Sequence, residues 1–267
     1  MPCLRRTALD LIRLTDPHAK ARAVRALPLA PEALREAAWT LGQDQALVEP
    51  EGVPGRADRP LLLPAREVPQ RSVGTPEGHA GLIHSLAHIE CNAVDLALDA
   101  IWRFPGMPAG FYTDWWRVAH EEALHFELLA EHLRRLGHAY GDFTAHEGLW
   151  HMANKTRDDV LARMAIVPRT LEARGLDASP AVQRKLISVG DHRGGEILDT
   201  ILRDEIGHVA IGNHWFRWLC QQRGLEPVAH YEELALQYGA PRLKGPFNLP
   251  ARRAAGFEDA ELALLGR

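Results

Sequence analysis

The chain has 267 residues, 46% of them hydrophobic and 25% charged, with a formal net charge of -4. This is the composition of an ordinary globular protein and excludes disordered and fibrous classes. A negative balance argues against a protein that coats nucleic acid, and no apolar run approaches the roughly 20 residues needed to span a bilayer.

Met1 to Leu14 alternates arginines with apolar residues and lacks the continuous apolar core of a signal peptide. Cys3, Cys91 and Cys220 are scattered and odd in number, so neither a disulfide framework nor a CxxC zinc pattern is present. Both observations lead to the expectation of a cytoplasmic protein.

Residues 1 to 48 read as short helices. Asp16-Pro17 is a cap followed by a first-turn proline, and Pro31 with Glu32 opens another helix after Ala30. The cations Arg5, Arg6, Arg13, Lys20, Arg22 and Arg25 in this region are expected to form a solvated helix face. From Glu49 to Pro76, six prolines forbid a long helix or a central strand, so an extended strap is expected there.

Long helical patterns follow. In the first, about Glu77 to Arg103, Leu82, Leu86, Ile89, Ala93, Leu96 and Ala100 recur at intervals of three and four. A second runs from about Tyr112 to Leu136 and stops at Gly137. A third resumes near Trp150 and continues to Arg174, kinked at Pro168 and stopped by Gly175. Ser179-Pro180 is expected to open a short helix, and Gly194-Gly195 to mark a break or bend, with a fourth long helix running to Arg223. The tail holds a helix around Tyr231, an irregular run from Gly239 to Pro250 and a last helix to Leu265. Strand signals are nearly absent. The expected fold is all-α: a four-helix bundle over 77–223, with short helices and the strap in 1–76 and terminal helices and a loop in 224–267.

Two helices carry the same short motif. The second contains Glu121-Glu122-Ala123-Leu124-His125 and the fourth Asp204-Glu205-Ile206-Gly207-His208. Residues three apart on an α-helix lie roughly 60° apart around the axis and about 4.5 Å along it, so a Glu and a His can converge on one ion. With 20 glutamates and 14 histidines, roughly one Glu-x-x-His is expected by chance, so a single copy carries no weight. Two copies with a preceding acid, on separate long helices, are expected in roughly 0.01 of such chains.

The spacing around the copies adds to this. Glu90 precedes Glu122 by 32 residues, and Glu172 precedes Glu205 by 33. Two facing helical hairpins would then place four carboxylates and two imidazoles in one core. One Glu from each of two helices and Glu-x-x-His from each of the others is the di-iron and di-manganese carboxylate arrangement of ferritin-like bundles. Carboxylate and imidazole without thiolate favour iron or manganese over structural zinc. The expected ligands are Glu90, Glu122, His125, Glu172, Glu205 and His208, holding two iron ions, with manganese or a mixed pair as alternatives.

Glu121 and Asp204 are candidates to accept a hydrogen bond from a ligating histidine. His84, His88, Asp95 and Asp99 form a polar stripe on another face of the first helix, which could support the site or be structural. Trp115, Trp116, Trp215 and Trp218 read as core packing, as does Cys91. Pro241 to Asn248 reads either as a surface strap or as a lid that helps bind an anionic substrate.

The chain resembles a bacterial ferritin-like family of unknown function, DUF455. The likeness is carried by His88-Ile89-Glu90 with Asp95 to Ala100, Glu121-Glu122 to His125-Phe126 and Arg163-Met164-Ala165 to Pro168-Arg169-Thr170-Leu171-Glu172-Ala173-Arg174-Gly175-Leu176-Asp177. It continues through Arg203-Asp204-Glu205 to His208-Val209-Ala210 and Gly245-Pro246-Phe247-Asn248. It implies a ferritin-like fold with the ligands named above, and no settled activity. More loosely, the order Glu, Glu-x-x-His, Glu, Glu-x-x-His is similar to the non-haem di-iron hydroxylase of isopentenylated adenosine in tRNA. That likeness implies oxygen activation, with an electron donor and a small-molecule or modified-nucleoside substrate. A di-iron oxidoreductase is the expectation, with a ferroxidase or metal-binding protein as the alternative. Extra segments around the bundle would obstruct cage packing, which leaves a monomer or dimer.

Overall fold

The computed structural model describes residues 2–266. Its contacts divide the chain into two compact units, one ending at Gly148 and the other starting at Leu149. Both are helical. Among the described residues the only extended pairings are two isolated bridges, Cys3 with Thr40 and Leu62 with Ala145. The expected all-α class is what the structure shows.

The first unit is built on one antiparallel hairpin, α4 (Pro76–Arg103) and α5 (Ala109–Arg135). Thr75 caps α4 by accepting from the Gly78 amide, with Pro76 in the first turn. Every residue of α4 from Glu90 to Trp102 is buried, so a helix with charged side chains lies inside the protein and each charge needs a partner. Three short helices precede it, α1 (Leu4–Ile12), α2 (Pro17–Arg25) and α3 (Pro31–Glu36), and charged partners come from α2, from the strap and from α4 itself. Asp16 caps α2 as expected, accepting from the His18 amide at 2.9 Å.

The polar stripe of α4 is structural. Asp95 is held by Lys20 at 2.5 Å and by Arg56 of the strap at 3.2 Å. Asp99 takes Arg103 at 2.8 Å. The Nε2 of His84 accepts from the Gly141 amide, and His88 contacts the Tyr140 hydroxyl at 2.8 Å. Burial depresses both histidines to about 4, so they are neutral near pH 7. The expectation that the N-terminal cations form a solvated face fails at two positions. Lys20 is buried against Asp95, and Arg5 is buried with its guanidinium donating to the carbonyls of Gly42, Ile101 and Trp102. A buried carboxylate and the orphan carbonyls at the end of α4 recruit these cations.

The strap from Glu49 to Pro76 is irregular, with one 3-10 turn at Ala65–Glu67. It is fastened by the Gly55 amide on the Ile12 carbonyl and by Leu63 on Ala145.

The second unit departs further from expectation. The third helical stretch is not continuous. After α6 (Gly148–Lys155) the chain turns, and Asp159 caps a new start, α7 (Val160–Ile166), by accepting from Leu161. A π-helical segment, Val167–Glu172, follows and passes into α8 (Ala173–Ser188). Pro168 lacks an N–H, and the Thr170 hydroxyl reaches back five residues to the Ala165 carbonyl at 2.8 Å. The backbone therefore widens into the π-helical segment at the proline.

Gly175 does not stop this helix and Pro180 does not open one; α8 runs through both. The carbonyl that Pro180 cannot serve, Leu176, is taken by the Asn248 side-chain amide at 3.1 Å. Gly194 and Gly195 are likewise no break. They sit in the first turn of α9 (His192–Arg223), whose cap Asp191 accepts from Gly194 at 2.7 Å. A Cβ at Gly194 would meet that carboxylate at 2.4 Å, so the glycine makes room for its own cap.

α8 lies antiparallel along α9. The tail adds α10 (Pro227–Gln237), α11 (Leu249–Ala254) and α12 (Asp259–Leu262), the last two replacing the single terminal helix expected. Ala251, Ala255, Phe257 and Leu262 pack on Ala173, Leu176 and Val209. Trp115, Trp116 and Trp215 are buried, in line with a packing role.

Candidate metal centre

Within the first unit, α4 presents Glu90 and α5 presents Glu122 and His125. All three are buried, and each offers a ligand atom within 4.8 Å of the others'. The two Glu-bearing helices are long, regular and antiparallel, and the three-residue step from Glu122 to His125 puts both on one face of α5.

The cluster has more acceptors than donors. His125 Nδ1 lies 3.3 Å from Glu122 Oε2 and 3.3 Å from Glu90 Oε2. A ring nitrogen carries at most one proton, and the approach to Glu122 has hydrogen-bond geometry. Glu90 Oε2 is left buried with no hydrogen-bond partner among the described residues. Burial, and next the neighbouring Glu122 charge, push the Glu90 carboxyl well above its ordinary range, to about 8. Two buried carboxyl groups side by side resist carrying both negative charges as they stand, and both charges become favourable around a cation. The donor set fits a hard or borderline metal ion.

In the second unit, α9 presents Glu205 and His208, both buried, with His208 Nδ1 3.6 Å from Glu205 Oε1. Glu205 Oε2 is also buried without a hydrogen-bond partner among the described residues. Glu172 ends the π-helical segment; it is half-buried, and its Oε2 is shielded from solvent. Within this unit taken alone, no three ligating side chains converge as they do in the first, among the described residues. The side chain of Asp204 pairs with Arg203 at 2.9 Å.

One feature of possible ligand chemistry carries no motif in the sequence. His79 and His132, on α4 and α5, bring ligand-type nitrogens within 4.8 Å, with ring centroids 6.4 Å apart. They lie 53 positions apart in the chain, so only the hairpin register reveals the pair.

The fold and the cluster thus define an all-α protein with a buried Glu/His group that could bind a metal ion. A family model described as "Protein of unknown function (DUF455)" matches residues 13–263, and the chain belongs to that family. It is also similar to an uncharacterized protein of Haemophilus influenzae, with 48% identity over 223 residues, covering 81% of this chain and 77% of the relative. No solved structure matches. No helix among the described residues is long and apolar enough to cross a membrane.

Proposed function

We propose that residues 77–223 form a ferritin-like four-helix bundle. In it, Glu90, Glu122, His125, Glu172, Glu205 and His208 hold two metal ions, iron first and manganese as the alternative. The observation that carries this reading is the buried convergence of Glu90, Glu122 and His125, where Glu90 Oε2 has no hydrogen-bond partner among the described residues. The repeated Glu-x-x-His and the second buried carboxylate at Glu205 extend it to a pair of ions.

A bound iron pair supplies the electrons and open coordination positions with which dioxygen is reduced and an organic substrate oxidised. The chain's own residues do the rest. The four carboxylates would hold two mutually repelling cations and neutralise their charge, and the two imidazoles would ligate in their neutral form. The shell of buried apolar side chains around α4 and α5 excludes bulk water. A small organic molecule or a modified nucleoside would be the substrate, with a separate electron donor, in a monomer or dimer. Three free cysteines suit a reducing compartment such as the cytoplasm.

Anaerobic titration of metal-free protein with Fe(II) tests the centre, and an oxygen electrode then tests the chemistry. Two Fe(II) bound per chain, followed by oxygen uptake, is the expected result. Stoichiometric binding of one ion or none would overturn the dinuclear reading. Iron oxidation that releases ferric ion without any organic co-substrate would turn the assignment to a ferroxidase.

A further inference from the structure

The second unit contains a cavity of about 410 Å³, within the size range of small-molecule sites. Its walls are α10, the irregular run Ala240–Leu243, Phe257 and the terminal residues Leu264–Gly266, and Arg169 and Arg252 line it from the helical core. None of these is among the proposed metal ligands.

The two arginines are unusual in being buried and only partly satisfied. Arg252 makes a two-point contact with Asp177, Nε to Oδ1 at 3.1 Å and Nη2 to Oδ2 at 2.7 Å. Arg169 donates to Asn213 at 2.8 Å and pairs with Glu261. The guanidinium groups lie 5.1 and 5.2 Å from the centre of one ring, Phe257. Yet Arg252 Nη1 and Arg169 Nε are buried with no acceptor among the described residues. A buried donor left unpaired on a charged group is unfavourable, and both residues line one cavity, where an acceptor could come from outside the chain.

The rest of the lining says what carries that acceptor. Arg242 adds a third cation from the loop and donates to the Gly266 carbonyl, so it stands between two walls. Against three arginines the lining sets two carboxylates, Glu232 and Glu261, and Glu261 is already engaged by Arg169 and Arg217. The remaining surface is apolar, with Leu243, Leu264 and Leu265 inside and Leu236, 85% exposed, at the lip. Guanidinium forks match carboxylate and phosphate oxygens, and the aliphatic wall takes a hydrocarbon body.

We propose that this cavity binds an amphipathic organic anion: a carboxylate or phosphate head at the Arg169–Arg252–Arg242 cluster and an apolar body along the leucines. The Pro241–Leu243 segment is then a wall of a binding site and not a plain surface strap. This site is separate from the proposed metal centre and does not depend on it.

Titration calorimetry on full-length, metal-free protein decides the matter. Octanoate and octyl phosphate serve as anionic probes of the two head groups, with octylamine as the cationic control. At least one anionic probe should bind saturably at one site per chain, with octylamine at least tenfold weaker. Leu236→Asp, an exposed change that places a negative charge at the lip, should weaken binding tenfold or more, and Arg242→Ala several-fold. Both positions are far from full burial, so the variants should fold, and an unchanged far-ultraviolet circular dichroism spectrum and melting temperature would confirm it. Absence of saturable binding, equal binding of octylamine, or unaltered affinity in Leu236→Asp would each overturn the proposal without touching the metal centre.

Discussion

The two helical hairpins carry the same Glu, Glu-x-x-His order but reach it by different local structures. In α4–α5 both helices are regular, both long, and their three acidic and imidazole groups already meet within 4.8 Å. In the second hairpin the Glu-bearing strand of the motif is broken into α7, a π-helical turn and α8, and Glu172 sits at the end of the wide turn. A motif repeated in sequence is therefore not repeated in backbone. The first hairpin brings its ligand-type groups together on regular helices, whereas Glu172 of the second ends a local widening of the helix, a device often found at functional positions.

The sharpest way to break the comparison is to remove a carboxylate from the first hairpin. Glu90→Gln is expected to lower Fe(II) affinity by more than the roughly 10–100-fold typical of losing an outer-shell partner. The same change should stabilise the metal-free protein. Folding raises the Glu90 carboxyl from 4.5 to about 8, so the native state holds a proton there that the unfolded chain gives up. Glu90 then favours the native state fully only below about pH 4.5 and progressively less as pH rises towards 8. The melting-temperature advantage of metal-free Glu90→Gln over wild type should therefore widen between pH 5 and pH 8. A constant or shrinking gap would show that the carboxylate is not held in the strained environment described here.

The next largest effect belongs to the tie that holds the N-terminal helices to the first hairpin. Lys20→Met leaves Asp95 buried with only Arg56 as a charged partner. Loss of one partner of a buried pair costs about 3–5 kcal/mol, and the continued presence of Arg56 points to the lower end. Denaturant unfolding measures it, and the double variant Lys20→Met, Asp95→Leu should recover much of the loss. No recovery would mean that the lysine acts through packing.

How much of this was legible follows the same division. In the first hairpin the three- and four-residue periodicity, the proline breaks and the Asp16 cap placed α2, α4 and α5 to within a few residues, because local rules were not overridden there. In the second unit they were overridden. Gly175 and Pro180 are strong stop signals on their own, and α8 passes through them because Asn248, seventy-two positions away, satisfies the Leu176 carbonyl. Gly194 and Gly195 look like a hinge but serve a capping carboxylate and a close approach of Ile187. The break before α7 carries neither Gly nor Pro, and only the Asp159 cap betrays it. The six ligand candidates could be named from spacing alone. The Arg169–Arg252 cluster could not, since its two members and their acids come from four separate segments.

A tighter probe of the second unit is Gly212→Ala. A Cβ on this α9 residue would lie 2.5 and 2.7 Å from two ring carbons of Pro168, so the π-helical turn can approach α9 only over a glycine. Overpacking at such a contact costs about 1–3 kcal/mol. The relief available is a shift of the turn, which would carry Glu172 with it. Fe(II) binding should therefore fall together with thermal stability, whereas Lys20→Met should lower stability with Fe(II) stoichiometry intact. Equal metal binding in both variants would separate the turn from the site.

The smallest expected effect tests why α8 survives its proline. Asn248→Ala removes the amide that meets the Leu176 carbonyl, and also the side-chain cap of α11 on the Ala251 amide at 3.3 Å. Each neutral hydrogen bond is worth about 1 kcal/mol net, so a loss of about 1–2 kcal/mol is expected. If Asn248 acts by satisfying the carbonyl that Pro180 abandons, replacing Pro180 by Ala supplies a backbone N–H for that carbonyl. The Asn248→Ala penalty should then shrink to the cap contribution alone in a Pro180→Ala background. Unfolding free energies of the four proteins in this cycle read the coupling directly. A coupling near zero would mean that α8 tolerates its proline for reasons local to the helix, and that the tail merely rests on it.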